Sequence, residues 1–296
     1  MTGAQLLQLR FIAFDVADAA TNMAMDEAIL EAHLAGLAPP TLRLYGFKPP
    51  AVSLGHTQKV PDGLLMRTQA AGFDLVRRPT GGRAVLHFGD LTYSFVASSK
   101  RRGPRADAAL VVVGKASGGS EAVLSPVSRS CDDHGGGGLL DESVSGAYKQ
   151  ICQGLQMAFK SLGLDLALGS TDVPYRQLHD CFLATTGSDL QFKGKKMVGS
   201  AQLRRRTAVL QHGSILLNQP QSLLPELLGK QAGEGDISVR HANLFEAAGT
   251  GISHMQLEEA IKNGFASAFG AQLAAASLSD HELRLVDQLK AKYQQL

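Results

Sequence analysis

Apolar residues recur at helical intervals in four stretches of the chain. The first lies within residues 22–30, and a longer one covers 142–162 and stops at Gly163. Two stretches near the end each begin with a serine that is followed three residues later by Gln or Glu. This is the signature of a capping box, in which two side chains satisfy the free amides at a helix start. We therefore predict helices over 254–269 and 280–293 as well.

Alternating apolar and polar residues predict strands in two other stretches. Residues 74–98 are expected to form two strands around Gly81-Gly82, and residues 189–217 to form strands on both sides of the turn at 193–195. Alternation of this kind is typical of a mostly antiparallel sheet with one face on the core. The order of helix, strands, helix, strands and helices predicts an α+β fold, with a central, mostly antiparallel or mixed β-sheet flanked by helices.

The chain is expected to form one main domain. Residues 1–250 make up this domain, and helices within 251–296 are packed on it or appended to it. Residues 101–139 do not fit the pattern, because they are rich in Gly and Ser and carry one short strand-like run at 108–113. We predict a flexible insertion there. Its glycine run at 135–138 lacks the Lys-Ser/Thr pair of a phosphate-binding loop, so a linker is the preferred interpretation.

Composition limits the class of protein. With 44% hydrophobic and 19% charged residues among 296, the chain can bury a sizeable core. No apolar run reaches the ~18 residues that cross a bilayer, and the N-terminus lacks the order of a secretory signal. We expect no membrane association and a cytoplasmic location, with an organelle as the alternative. The net charge of +2 predicts no nucleic-acid partner, although bunched basic residues leave a local acidic partner open.

One cysteine is a candidate nucleophile. Cys131, Cys152 and Cys181 lack the number and spacing of a disulfide scaffold or a metal site, so no metal is expected. Cys181 lies in a polar, loop-like stretch fifteen residues before Lys196. The thiolate is the reactive form of cysteine, and a nearby cation lowers the thiol pKa. Cys181 and Lys196 are therefore candidate catalytic residues that carry an acyl group on sulfur and pass it to an amine; the alternative is a buried apolar cysteine.

A glycine turn supplies candidate substrate-binding residues. Gly81 and Gly82 leave amide groups uncovered, so the turn can wrap around a carboxyl, acyl or phosphoryl group, although a tight hairpin is the simpler alternative. Strand alternation places Arg77 and Arg78 on opposite faces, so at most one shares the pocket, and we take Arg78 as the candidate. His87, further along, is a candidate wall residue or a hydrogen-bonded structural histidine.

Small residues follow Lys196 on the later strand stretch. Gly199, Ser200 and Ala201 would let a ligand lie close against the backbone, which makes them candidate substrate-binding residues. An ammonium held beside them at Lys196 could stabilise a thiolate, the charge on a tetrahedral intermediate or a phosphate.

Three segments in this order resemble the superfamily of lipoate-protein ligase A, lipoyl (octanoyl) transferase B and biotin ligase. They are NMAMDEAIL at 22–30, RRPTGGRAVLHFGDLTYSF at 77–95 and GKKMVGSAQLRRRTAVLQHGSILL at 194–217. The Cys181-Phe182 pair ahead of the third segment is similar to octanoyltransferases of the LipM type, whose acyl-enzyme cysteine occupies that loop. The resemblance implies a biotin/lipoate ligase-like catalytic domain.

The resemblance also implies substrates and residue roles. An octanoyl group would arrive as a thioester on acyl carrier protein, move to Cys181 and end on a lysine of a lipoyl domain. Such domains include the glycine cleavage H protein and the E2 subunit of 2-oxoacid dehydrogenases. Because a thioester is already activated, neither ATP nor a cofactor is expected. Lys196 would lower the Cys181 pKa; the acyl pocket would be lined by Gly81, Gly82 and His87, with Gly199, Ser200 and Ala201 as the opposite wall.

Three rival functions stay open. In an ATP-dependent lipoate-protein ligase, Lys196 would bind carboxylate and phosphate while Cys181 is incidental. An amidotransferase would move octanoyl from one lipoyl domain to another, also through a cysteine. A non-catalytic binder of lipoyl domains would need neither group. Gly81-Gly82-Arg83 stands where many ligases of the superfamily have a glycine triplet, which favours the transferase.

Overall fold

The computed structural model describes residues 6–100, 138–169, 187, 189–218, 223–229, 241–249 and 251–295. Cys181 and residues 101–137 of the expected insertion lie outside the described residues, so what was inferred for them stays a prediction. In the described residues, no helix combines the length and apolar character needed to cross a membrane.

Eleven strands and seven helices are formed by the described residues. The strands are β1 (Leu7–Ala17), β2 (Thr41–Phe47), β3 (Ala51–Leu54), β4 (Asp74–Arg77), β5 (Val85–His87), β6 (Leu91–Ser98), β7 (Ala167–Leu168), β8 (Leu190–Phe192), β9 (Lys195–Arg205), β10 (Ala208–Ile215) and β11 (Ala271–Ala275). The helices are α1 (Ala19–Leu34), α2 (Leu64–Ala70), α3 (Val144–Ser161), α4 (Leu223–Leu227), α5 (Leu244–Ala248), α6 (His254–Phe269) and α7 (Asp280–Tyr293).

A mixed sheet forms the centre of the molecule. Eight of the described strands follow the order β11-β1-β2-β6-β10-β9-β8-β7. Strand β1 pairs in parallel with β11 and with β2, whereas the other neighbours in this sheet are antiparallel. The predicted α+β fold with a mostly antiparallel or mixed central sheet is confirmed.

Helices cover both faces of this sheet. Consecutive strand residues point to opposite faces. Phe95 of β6 packs against Phe265 of α6, with ring centroids 5.2 Å apart, whereas the next residue, Val96, clusters with Ile29 and Leu30 of α1. One face therefore carries α3 and α6, and the other carries α1, against which α7 packs.

Polar contacts fix α7 to the start of the chain. Arg10 of β1 forms a two-pronged ion pair with Glu282 of α7. Lys292 and Tyr293 at the end of α7 both donate hydrogen bonds to Glu27 of α1. Buried or half-buried ion pairs need such added hydrogen bonds to offset their desolvation. The contacts hold α1 at a set position over the sheet.

A second, three-stranded sheet in the order β4-β3-β5 lies on the α1 side of the molecule. The loop that joins β4 to β5, residues 78–84, runs close over the end of β3. His56 N donates to Thr80 O at 2.8 Å. A Cβ atom on Gly55 would lie 2.1 Å from Gly82 O, so position 55 has room for glycine alone.

Locally encoded helices match their predictions. The helices predicted over 254–269 and 280–293 are α6 and α7, and both capping boxes are formed. The helix predicted over 142–162 is α3. In each case the start or stop residues act within one turn of the helix itself, which is why sequence alone placed them.

The prediction for residues 74–98 was wrong in one respect. This stretch holds three strands rather than two, because the chain turns after His87 and returns as β6. Gly89 has a φ of 75°, a backbone conformation that favours glycine, and it allows this turn. The first helix also begins earlier than expected, at Ala19, because the Asp18 side chain accepts a hydrogen bond from Thr21 N.

Candidate active site

A small cavity of about 30 Å³ lies between the two sheets, beside α1. It is lined by residues from α1, from both sheets and from the loop after β4: Met23, Tyr45, Ser53, Arg78, Val85, His87, Thr92, Gly199, Ser200, Ala201, His212, Gly213 and Ser214.

Most of the predicted substrate-binding residues come together here. Those that line the cavity are Arg78, His87, Gly199, Ser200 and Ala201. Gly81 and Gly82 belong to the adjoining loop and are not among the described residues that line the cavity. Arg78 and Gly199, which are 121 positions apart in sequence, therefore meet at one site, as the resemblance implies.

Small residues in register make one wall. Strands β9 and β10 pair so that Gly199 faces Ser214 and Ala201 faces His212. Between them, a Cβ atom on Gly213 would lie 2.6 Å from Gly199 O. Glycine at these positions keeps the backbone close to the cavity, where a larger side chain would fill it.

Arg78 lies on the cavity wall, but its N–H groups donate hydrogen bonds to the loop after β4 and to Ser53. Its Nε and Nη2 donate to Gly81 O at 3.1 and 2.9 Å, and Nη2 also donates to Arg83 O at 2.7 Å. Nη1 donates to the backbone oxygen and to Oγ of Ser53, both at 3.0 Å. A guanidinium has five N–H donors, and these bonds use all five. Arg78 thus offers the cavity a positive charge rather than an unused donor.

Ser53, His87 and Asp90 form a hydrogen-bonded row, which we call the Ser53 trio. Ser53 Oγ lies 2.8 Å from His87 Nε2, and His87 Nδ1 lies 2.8 Å from Asp90 Oδ2. Thr92 and Ser214 donate to the same Asp90 oxygen at 3.1 and 2.6 Å. Because a carboxylate only accepts, Nδ1 carries the imidazole hydrogen, and Nε2 accepts from the Ser53 hydroxyl.

The local fold fixes the geometry of the Ser53 trio. Ser53 on β3 is paired with Val85 on β5, two residues before His87. The turn at Gly89 brings Asp90 back to the His87 ring. Phe47 stacks on that ring with a centroid distance of 4.0 Å and an interplanar angle of 24°. The imidazole is therefore held by a hydrogen bond at each nitrogen and by an aromatic face.

Thr80, His212 and Asp26 form a second row of the same kind, the Thr80 trio. Thr80 Oγ1 lies 2.6 Å from His212 Nε2, and His212 Nδ1 lies 2.9 Å from Asp26 Oδ2. Tyr45 donates to the same Asp26 oxygen, and Arg43 donates to the other one, both at 2.8 Å. His212 lines the cavity, whereas Thr80 is fully buried and is not among the described lining residues.

Burial and charge set the protonation states in the Thr80 trio. Burial alone would raise the pKa of Asp26, but the hydrogen bond from His212 and the charge of Arg43 outweigh it, and the pKa is lowered. Burial lowers the pKa of His212 against the opposing effect of Asp26. Asp26 is therefore an anion and His212 a neutral imidazole at neutral pH.

Lys196 is fully buried and paired with a carboxylate. Its Nζ lies 3.0 Å from Asp189 Oδ2. Asp189 Oδ1 also accepts a long hydrogen bond, 3.4 Å, from Ser200 N, which ties the ion pair to the cavity wall. Lys196 itself is not among the described residues that line the cavity. Since Cys181 lies outside the described residues, its pairing with Lys196 stays a prediction.

Cys152 on α3 is unsuited to act as a nucleophile. Burial, together with the negative charge of Asp189, raises the pKa of its thiol to about 12. The thiolate fraction at neutral pH is then negligible, and the thiolate is the reactive form. Cys181 keeps its place as the candidate through its polar sequence context.

Several residues in or behind the cavity wall escaped the sequence reasoning: Asp26, Ser53, Thr80, Asp90 and Asp189. A signal existed for Asp26, because a carboxylate inside the apolar stretch NMAMDEAIL must find partners when that helix is buried. Ser53 gave no such signal, since AVSL is typical of any buried strand. Within the described ranges, no group of three or more His, Cys, Asp or Glu side chains is placed to hold a metal ion.

The sequence places the chain in the lipoyl ligase and transferase class. The sequence matches the lipoyl protein ligase A/B catalytic domain over residues 18–113 and 137–266, and the chain belongs to this family. Octanoyltransferase LipM from Kyrpidia tusciae is 35% identical, with 93% of this chain and 92% of the relative covered. Octanoyltransferase LipM from Anoxybacillus flavithermus is 34% identical, with 96% and 95% covered.

Solved structures of ligases share the fold. A lipoate-protein ligase A bound with ATP superposes with a TM-score of 0.71 at 22% identity, and the match covers 99% of this chain and 97% of that one. A bipartite lipoate protein ligase from Thermoplasma acidophilum superposes with a TM-score of 0.69 at 20% identity, covering 98% and 94%. The shared architecture is the one expected from the three sequence segments.

Proposed function

We propose that the protein is an octanoyltransferase that moves an octanoyl group from octanoyl-acyl carrier protein, through a thioester on Cys181, to a specific lysine of a lipoyl domain. The glycine cleavage H protein and the E2 subunit of 2-oxoacid dehydrogenases are the proposed acceptors. The observation that carries the proposal is the cavity, which gathers five of the predicted substrate-binding residues in a chain whose curated relatives are octanoyltransferases. The cytoplasm remains its predicted location.

The cavity wall supports an acyl thioester as the ligand. Met23, Val85 and Ala201 provide apolar surface for an alkyl chain. Arg78 adds a positive charge and His87 a polar ring on the same wall. A mainly apolar wall with a few placed polar groups suits a ligand with an apolar tail and one reactive carbonyl, and the cavity would have to widen to admit it.

The proposed chemistry has two steps. The Cys181 thiolate attacks the donor thioester, and the bond to the carrier sulfur breaks as the new carbon–sulfur bond forms. A lysine amine of the lipoyl domain then attacks the Cys181 thioester and releases the thiolate. Lys196 would favour the thiolate by its positive charge. The donor is activated already, so no adenylation step is needed.

Mass spectrometry of the intact protein tests this route. Incubation with octanoyl-acyl carrier protein, without ATP, is expected to add the mass of one octanoyl group, which peptide mapping places on Cys181. Cys181→Ser should lose the adduct, whereas Cys152→Ala, the matched change at a buried thiol, should keep it. Lys196→Ala should load more slowly because the thiolate is less favoured. Full transfer by Cys181→Ser would overturn the covalent route.

Other donors separate the rival functions. Product formed only from free octanoate or lipoate with ATP would replace the transferase by a ligase. Product formed from an octanoylated lipoyl domain, but not from the carrier protein, would indicate an amidotransferase. Binding of lipoyl domains without product from any donor would leave a non-catalytic binder.

A further inference from the structure

The two steps of the proposed reaction differ in their need for a base. In the first step one thiolate replaces another, and no proton moves. In the second step a neutral amine becomes an amide, so its nitrogen must lose a proton as the carbon–sulfur bond breaks. General bases for such transfers contribute about 10²–10⁴-fold to the rate. A proton acceptor close to the acyl group would therefore act in the second step alone.

We propose that Ser53 and His87 form a relay that removes this proton, an inference that rests on the proposed function. The amine proton passes to Ser53 Oγ while the Ser53 hydroxyl hydrogen passes to His87 Nε2. The products are the amide, the Cys181 thiolate, an intact serine and an imidazolium at His87. The imidazolium then returns its proton to solvent before the next cycle.

The hydrogen bonds around Ser53 give the relay its direction. Ser53 and His87 both line the cavity, and Ser53 is 1% exposed, so an amine would have to approach the serine hydroxyl from inside the cavity. Arg78 Nη1 donates to Ser53 Oγ at 3.0 Å. The serine hydrogen is therefore left for His87 Nε2, 2.8 Å away. The guanidinium also stabilises the oxygen while it exchanges one proton for another.

Asp90 and Phe47 are positioning residues in this arrangement. Asp90 accepts the Nδ1 hydrogen of His87, which leaves Nε2 open to receive a proton, and its charge stabilises the imidazolium that forms. Phe47 holds the ring in plane.

The charged and titratable groups around His87 are compatible with the role. Asp90 on the following turn bonds to His87 Nδ1, and Arg78 on the loop lines the same cavity. His212 on β10 and Tyr45 on β2 share the same cavity. Burial lowers the pKa of His212, so this second histidine stays neutral and adds no positive charge opposite His87. Burial also raises the pKa of Tyr45 well above its usual range, so its phenol stays neutral.

Separate measurement of the two steps tests the relay. The acyl-enzyme is formed without acceptor, isolated and mixed with a lipoyl domain in a single turnover. Ser53→Ala and His87→Gln are expected to load at close to the native rate and to transfer about 10²–10⁴-fold more slowly. Thr80→Val removes a hydroxyl from the other histidine and is expected to leave both steps close to native.

Separate values of KM and maximal rate distinguish chemistry from structural damage. His87→Gln should lower the maximal rate of transfer while the KM for the lipoyl domain stays close to native. Equal losses in loading and transfer, an increase in KM alone, or transfer unaffected by both substitutions would overturn the relay.

A second donor keeps this test independent of the thioester route. If the native protein forms no adduct on Cys181, the proposed covalent route fails, and the relay is then measured with octanoyl-adenylate as the donor. Aminolysis of that mixed anhydride releases the same amine proton. Slower transfer by Ser53→Ala and His87→Gln would support the relay in this setting, and unchanged transfer would overturn it.

Discussion

The Ser53 trio and the Thr80 trio have the same three groups in the same order but different surroundings. In each, a hydroxyl bonds to Nε2 of a histidine whose Nδ1 bonds to an aspartate. Ser53 lines the cavity, whereas Thr80 is fully buried and is not among the described lining residues. Asp90 accepts hydrogen bonds from two hydroxyls in addition to the one from His87, whereas Asp26 is paired with the guanidinium of Arg43.

The difference teaches that the position of the outer hydroxyl, rather than the pattern of three side chains, separates a chemical role from a structural one. A row that ends at a cavity can pass a proton to a ligand. A row that ends inside the core, with a guanidinium on its carboxylate, ties elements together instead. The Thr80 trio joins α1, β2, β10 and the loop after β4 by side-chain bonds.

The largest expected effect is on stability, from the matched changes Asp26→Asn and Asp90→Asn. Asp26→Asn leaves the buried guanidinium of Arg43 without its counter-charge, and we expect a loss of about 3–5 kcal/mol in the free energy of unfolding. Asp90→Asn should cost less, because no guanidinium depends on it, but should slow acyl transfer more. Urea unfolding and single-turnover transfer measure both quantities. A slower transfer by Asp26→Asn, with an unchanged free energy of unfolding, would contradict the structural role of the Thr80 trio.

A second pair of variants tests whether the two trios depend on one contact. Gly55→Ala would place a Cβ atom 2.1 Å from Gly82 O, so the loop must move away from β3 at a cost of about 1–3 kcal/mol. Both trios should be disturbed, since Ser53 and Thr80 lie on the two segments that meet there. Gly81→Ala, whose Cβ meets nothing within 4 Å, is the matched control. Equal thermal unfolding of the two variants would contradict the close contact.

Thr80→Val sharpens the contrast between the two hydroxyls. It keeps the shape of the side chain but leaves His212 Nε2 without its donor, so we expect a loss of about 1–2 kcal/mol in the free energy of unfolding. Transfer should stay close to native, opposite to the effect of Ser53→Ala. If Thr80→Val slowed transfer as strongly as Ser53→Ala, both trios would have to take part in the transfer reaction.

The smallest expected effect is a pH slope from His212. Its pKa is lowered in the folded protein from the ordinary value of 6.5, so the unfolded chain binds a proton that the folded protein does not. The free energy of unfolding should therefore fall as the pH falls below 6.5. Urea titrations between about pH 7 and pH 5 measure the slope, which His212→Gln should flatten.

Two other titratable groups, His33 and Asp26, must be considered when the pH slope of the unfolding free energy is interpreted. Burial also lowers the pKa of His33, so some slope should persist until His33→Gln is added. Asp26 has a lowered pKa as well, but its stabilisation is present above its ordinary 3.8 and is lost only at more acidic pH, outside the titrated range. A slope unchanged by both histidine substitutions would contradict the neutral state of His212.

Local signals explain how much of the fold could be predicted. The capping serines Ser253 and Ser279 act on amides three residues away, so the sequence contains both partners. The family membership and the mixed sheet, which are both confirmed, could also be predicted because each motif is a continuous stretch of sequence. The turn after His87 was missed because Gly89 interrupts a run that otherwise alternates like one strand.

Long-range partners explain what could not be predicted at the site. Ser53 and His87 are 34 residues apart, and His212 and Asp26 are 186 apart. No periodicity along the chain shows that such residues touch. The internal bonds of Arg78 were missed for a similar reason, because the loop carbonyls become acceptors only after the chain folds back. The roles of Cys181 and Lys196 stay predictions.

The parallel pairing of β1 has a consequence for synthesis on the ribosome. Gln8 on β1 bonds to Gln272 on β11, 264 positions later in the chain. At typical elongation rates the ribosome needs roughly 10–50 s to make that stretch. The edge of β1 that later pairs with β11 therefore stays unpaired during most of translation, in a stretch that contains the apolar Leu9 and Phe11. Unpaired edges of this kind invite aggregation, so nascent chains should benefit from a chaperone that binds near the first strand.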